Sequence, residues 1–151
     1  MCLPDKSKVF EFCESFIAQR IRGIQSQIKE VSQALASENK STAGDKHETG
    51  RAMLQLEREK LGQQLFEAEK MVELFRRVDR DTNSQSAVLG SLVITNLANY
   101  YLAISAGKYT TPETEVYCIS TFTPIGKLVL GKSSGDTFTF NNKTHKILHV
   151  L

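Results

Sequence analysis

Two amphipathic stretches of matched length, a polar turn between them and a change of hydrophobic period after residue 80 predict an α+β chain. The reading is an N-terminal antiparallel coiled-coil hairpin over residues 1–80, followed by a small, mainly β domain over residues 81–151. A chain of 151 residues holds such a pair comfortably.

The first arm spans residues 6–37, with apolar residues at Phe10, Ile17, Ile21, Ile24, Ile28, Val31 and Leu35. From Ile17 onward the spacing alternates four and three, which is a heptad seam. At 1.5 Å per residue the arm would run roughly 48 Å. The second arm, residues 51–78, repeats the pattern with Leu54, Leu61, Leu65, Ala68, Val72 and Phe75. Arg58 takes the seam position between the first two. Gln, Glu, Lys and Arg fill the other faces, as exposed coiled-coil positions require. No proline falls between residues 5 and 111, so neither arm is broken. Arms of matched length joined by polar turn residues favour pairing within one chain over pairing between chains.

"DRDTNSQSA", residues 79–87, then reads as a linker of small polar residues. Beyond it, "SLVITNLANYYLAIS" and "ETEVYCISTF" are rich in β-branched and aromatic residues. "KLVLG" and "DTFTFNNKTHKILHV" alternate, the latter around an Asn-Asn turn, and suggest paired strands. Room remains for one short helix near residues 124–130, where Pro124 can open it.

Composition removes several function classes. A net charge of +2, with 14 Lys+Arg against 13 Asp+Glu in residues 1–80 and 5 against 4 beyond, leaves no basic arm for nucleic acid or membrane. Three widely spaced cysteines (Cys2, Cys13, Cys118) without a C-x-x-C pair argue for a reducing compartment and against a disulfide framework or zinc site. Asp5, Lys6 and Lys8 interrupt any signal peptide, and no run approaches the roughly 20 apolar residues of a membrane span. The expectation is a cytoplasmic protein.

The turn "ENKSTAGDKHETGR", residues 38–51, is the chemical centre of the sequence. Asp45-Lys46-His47-Glu48 matches a capping box, in which the first side chain caps the helix and the Glu three residues later reaches back. The box accounts for Asp45 and Glu48 without any further role. It does not account for so long and polar a turn, since helix-to-helix connections need only a few residues. Two exposed carboxylates one turn apart at the end of a rod could also lend oxygens to Mg²⁺, provided a partner completes the coordination. The two readings are compatible.

Here the sequence resembles a known family. "GDKHETGRA" on a helical hairpin resembles the acidic tip motif G-D-x-x-E-N of the bacterial Gre transcript-cleavage factors. "GSLVITNL" resembles the strand that opens their C-terminal domain. "VYCISTFTPIGKLVLGKSSGDTFTF" resembles the segment that follows, an I-S-x-x-S-P stretch with a later G-K and G-D. The resemblance covers roughly residues 6–151 in the family's order. It implies an FKBP-like C-terminal domain that docks at the rim of the RNA polymerase secondary channel, and a finger whose tip, residues 44–49, enters it. It places on Asp45 and Glu48 the task of holding a catalytic Mg²⁺ shared with the polymerase. It assigns partner contact to Thr123, Pro124, Ile125, Gly126 and Lys127, with RNA and DNA met only indirectly.

By the same resemblance the chain would be a monomeric auxiliary factor, any RNA cleavage occurring in the polymerase active site. The motif is departed from at Thr49, Gly50 and Arg51, and at Lys46 and His47. A channel-binding regulator without cleavage activity, or a plain coiled-coil interaction module, are therefore the alternatives. An isomerase reading of the β domain ranks last, since a fold alone licenses no activity.

Three other patterns invite simpler readings. His145 and His149 lie four apart in a predicted strand, about 13 Å of extended chain and too far to chelate one metal. Cys118 reads as a buried apolar position rather than a nucleophile. "GKSSGD" lacks the spacing of a phosphate loop.

Overall fold

The computed structural model describes residues 2–39 and 45–151, without the side chains of residues 39 and 45–47. Two long helices, α1 (Lys6–Asn39) and α2 (Asp45–Arg76), precede six strands and one short helix. The strands are β1 (Leu92–Thr95), β2 (Asn99–Ala103), β3 (Gly107–Thr110), β4 (Glu115–Ser120), β5 (Thr137–Phe140) and β6 (Lys143–Val150), with α3 (Pro124–Val129) between β4 and β5. The chain divides into two compact units, Ile17–Val72 and Met1–Phe16 with Glu73–Leu151.

The unit Ile17–Val72 holds helix and nothing else among its described residues. Ile17, Ile24 and Leu35 of α1 and Leu61 and Ala68 of α2 are buried, so each helix can only be covered by the other. A Cβ on Gly50, early in α2, would meet Glu38, late in α1, which sets the helices antiparallel. Arg58 and its neighbours are exposed and Leu54 is half-buried, so the α2 seam closes fully only from Leu61 onward. A guanidinium at a seam position keeps its charge in water, and the seam opens around it.

In the other unit the sheet runs β3-β4-β2-β1-β6-β5. All pairs are antiparallel except β2 with β4, which are parallel because β3 crosses to the far side of β4. Asn141 and Asn142, both with positive φ, make the tight turn that joins β5 to β6, as the Asn-Asn pair predicts. "KLVLG" departs from the predicted strand. Lys127, Leu128 and Val129 finish α3, because Thr123 caps a helix that Pro124 opens and the local alternation is overridden.

The sheet is covered on both faces. Val93, Tyr100, Leu102, Phe138 and Ile147 pack with Val129, Ile125 and Leu128 of α3. On the opposite face lie Tyr101 and its register neighbours Leu92 and Cys118. There the start of α1 contributes Val9 and Cys13, both fully buried, and Phe12, whose ring meets Tyr109 edge-on at 5.5 Å. Phe10 and Phe75 meet nearby at 4.8 Å with their rings tilted, tying the start of α1 to the end of α2. The linker is anchored, not loose. Ala87 is buried and exchanges backbone hydrogen bonds with Lys132 and Gly131, and Arg80 pairs with Glu11 at 2.6 Å.

Candidate functional site

The tip comes first. α2 begins at Asp45, so positions 45 and 48 are three apart in one helix and share a face. The turn 40–44 and the side chains of Asp45, Lys46 and His47 lie outside the described residues, and with them the capping and metal roles expected of Asp45. Glu48 is exposed in the first turn of α2, where the helix N-terminus favours negative charge. Arg51, also exposed, follows three residues later on the same face. Carboxylate oxygens are the right donor class for Mg²⁺, but two are an incomplete set. Among the described residues no group of three or more His, Cys, Asp or Glu could hold a metal.

The second candidate is the start of α3. The Thr123 hydroxyl donates to the Ser120 carbonyl at 2.7 Å and accepts from the Gly126 amide at 3.1 Å, closing the N-terminus of the helix. Gly126 is buried, and a Cβ there would lie 2.2 Å from the Ser120 carbonyl oxygen. Only glycine lets the helix sit this close to the strand it follows. Ile125 packs against the core cluster with Leu128. Of the five residues expected to meet a partner, Pro124 and Lys127 are therefore exposed, while Thr123, Ile125 and Gly126 build the helix that presents them. Phe122, which sequence reasoning passed over, is the most exposed large apolar side chain of the chain's described residues, at 67%. A lone aromatic between two threonines gives no periodic signal.

His145 is a core histidine. It is buried in β6 and stacks on Phe138 at 4.6 Å. The Lys143 carbonyl can only accept, so Nδ1 donates to it at 3.3 Å and Nε2 is left to accept from the Tyr100 hydroxyl at 3.3 Å. Burial pushes the Tyr100 phenol up, which keeps it a donor. His149 is exposed on the same strand and takes no part.

Cys118 is buried beside Cys13. Hydrogen bonding to Cys118, with burial second, holds the Cys13 thiol well above its ordinary range, the opposite of an activated nucleophile. In "GKSSGD" the Asp136 carboxylate accepts the Ser133 amide at 2.8 Å, so the turn already holds an anion of its own.

No protein-family model matches the chain, and no curated protein sequence does. Solved structures are similar to it. A structure of the transcription factor Gfh1 is 16% identical, with 89% of this chain and 90% of that one covered and a TM-score of 0.37. The GreA factor homolog 1 (Gfh1) protein of Thermus thermophilus is also 16% identical, with 89% and 92% covered and the same TM-score of 0.37.

Proposed function

We propose that the chain is a Gre-type transcription regulator that binds RNA polymerase and inserts the tip of its helical hairpin into the secondary channel. One observation carries the reading: α2 opens on Asp45 with Glu48 exposed one turn on, at the closed end of two helices of 34 and 32 residues. Helices of that length span about 50 Å at 1.5 Å per residue, a reach no packing of the hairpin itself demands. The order of tip, hairpin and β domain follows the resemblance read in the sequence.

In this reading Asp45 and Glu48 lend oxygens to a Mg²⁺ held chiefly by the polymerase. When bound, that ion would activate a water and neutralise charge developing on a phosphate. The chain itself catalyses nothing. It works as a cytoplasmic monomer, delivering charge to another protein's active site. Exposed Pro124 and Lys127, with Phe122 beside them, form the docking edge of the β domain.

A second reading, channel binding without cleavage, is favoured by Arg51. Its position one turn beyond Glu48 sets a positive charge to compete for that carboxylate.

The test is Asp45→Asn with Glu48→Gln in a transcript-cleavage assay on stalled elongation complexes. Asn and Gln keep the size and hydrogen-bonding oxygens of Asp and Glu, so stability is spared while both charges go. Cleavage stimulation should fall by at least ~10²-fold with polymerase binding retained. Unchanged cleavage would reduce Asp45 and Glu48 to a helix cap. Binding of the unaltered chain without any stimulated cleavage would establish the second reading.

A further inference from the structure

The β domain carries a furrow of mixed charge that neither the tip nor the exposed edge of α3 explains. One cavity of about 550 Å³ is lined by Tyr100, Tyr117, Ile119, Ile125 and Phe140, with Lys143 at its rim. Lys143 is its one charged lining residue, and among the described residues no carboxylate pairs with it. A second cavity of about 350 Å³ is lined by Asn96, Asn99, Glu113 and Glu115, with Lys108 beside it over the Tyr117 ring at 5.9 Å. The two share Leu97, Ala98 and Tyr117, so they adjoin across the β1–β2 turn. Leu97 and Tyr117, 52% and 41% exposed, form the apolar stretch that joins the two cavities.

The charges at the acidic end are not equivalent. Glu115 shares its carboxylate with Lys108 at 3.4 Å. Among the described residues, the Glu113 carboxylate receives only a long contact from the Cys2 thiol at 4.0 Å. The amides are half used: Asn99 donates to the Glu115 carbonyl and Asn96 accepts from the Lys146 amide. The Asn99 oxygen and the Asn96 amino group stay available to a peptide backbone.

We propose that this furrow binds an extended protein segment with an apolar centre, a cationic residue at one end and an anionic residue at the other. The apolar centre sits over Leu97 and Tyr117, the cation meets Glu113, and the carboxylate meets Lys143. Nucleic acid is a poor occupant, because Glu113 and Glu115 repel phosphate. Two adjoining cavities also fit a chain better than one compact small molecule. The inference concerns the β domain and the residues 2–4 that line one end of the furrow, and it holds with or without the channel reading.

The test is an amide ¹H–¹⁵N titration of the full chain with three peptides. The probe is acetyl-Lys-Ser-Leu-Phe-Ser-Glu-amide; its controls carry Glu at both ends or Lys at both ends. The probe should bind with Kd of about 1 mM or tighter. It should shift the amides of Leu97, Ala98, Tyr117 and Lys143, and each control should bind at least ~5-fold more weakly.

Lys143→Glu, an exposed position, should switch the preference to the doubly basic peptide. Glu113→Lys, at the other end, should switch it to the doubly acidic one. The dispersion of the same spectra reports whether each variant is folded. Absence of shifts, shifts away from the furrow, or equal binding of all three peptides would overturn the proposal.

Discussion

The helical unit and the β unit bury their cores in opposite ways. Within Ile17–Val72 the buried apolar positions among the described residues are Ile17, Ile24, Leu35, Leu61 and Ala68, a single seam. In the β unit, side chains cover both faces of the sheet, and even a glycine hydrogen is packed against a carbonyl. A one-seam rod depends on a few large side chains and leaves every outer position open to variation. A two-sided sheet is limited by space. Removing atoms is what should harm the first, and adding them the second.

Leu61→Ala is the sharpest way to break that comparison in the rod. Leu61 is 1% exposed and is the first fully closed position of the α2 seam. Truncation should cost about 3 kcal/mol, within the usual range for buried leucine. Hydrogen exchange should show the loss in helical amides of residues 17–72, with β1 and β2 protected as before. A uniform loss across both units would mean that they unfold as one.

Gly126→Ala is the converse, one carbon added. Because the new atom would sit 2.2 Å from the Ser120 carbonyl oxygen, backbone must move, and about 2 kcal/mol or more is expected. Thermal melts of the two variants compare the effects directly. An Ala as stable as Gly would show that the α3 turn is not crowded. Ile125→Asp, by contrast, is no clean probe of docking, since Ile125 packs on the core cluster. Lys127→Glu is the better choice: under the proposed docking it should weaken polymerase binding and leave the melting temperature unchanged, since Lys127 is exposed.

What was legible in the sequence follows the same division. Heptad spacing and the proline-free span revealed both helices, and the Asn-Asn pair revealed the β5–β6 hairpin. Period alone could not reveal that Val9, Phe12 and Cys13 leave the seam to cover the sheet, because an apolar residue fits either role. Short β3, "GKYT", lacks the length for a pattern. "KLVLG" alternates like a strand yet is governed by the cap and proline before it. At the tip, residue types named the candidates Asp45 and Glu48. The furrow is assembled from β1, β2, β4 and the residues just before it, α3, β5, β6 and the N-terminal residues, so no local motif could announce it.

Tyr101→Phe should run the other way and stabilise. The Tyr101 side chain is fully buried, and its hydroxyl finds no hydrogen-bond partner among the described residues. Deleting it should add about 1 kcal/mol. Burial first, then the neighbouring Cys13 and Cys118, push this phenol above its ordinary value. Above about pH 10 the unfolded chain therefore releases a proton that the folded chain keeps, and stability falls as pH rises. The advantage of Phe should widen across that alkaline range in denaturant titrations. A constant difference would mean that Tyr101 ionises alike in both states.

The smallest effect belongs to the outer face of α2. Leu56 and Met53 are 65% and 66% exposed, so neither contributes to the seam that holds the rod. Replacing Leu56 by Ser should change stability by no more than ~0.5 kcal/mol, the usual range for surface positions. Near-neutrality is the informative outcome, because it separates a hairpin closed within one chain from a bundle of chains. If Leu56 were covered by a second copy, truncation would cost several times more and the loss would shrink as protein concentration rises. Equilibrium unfolding of the Ser variant at two concentrations a hundredfold apart decides between them. Coincident curves, displaced little from those of the unaltered chain, are expected of a rod whose only apolar contact is with itself.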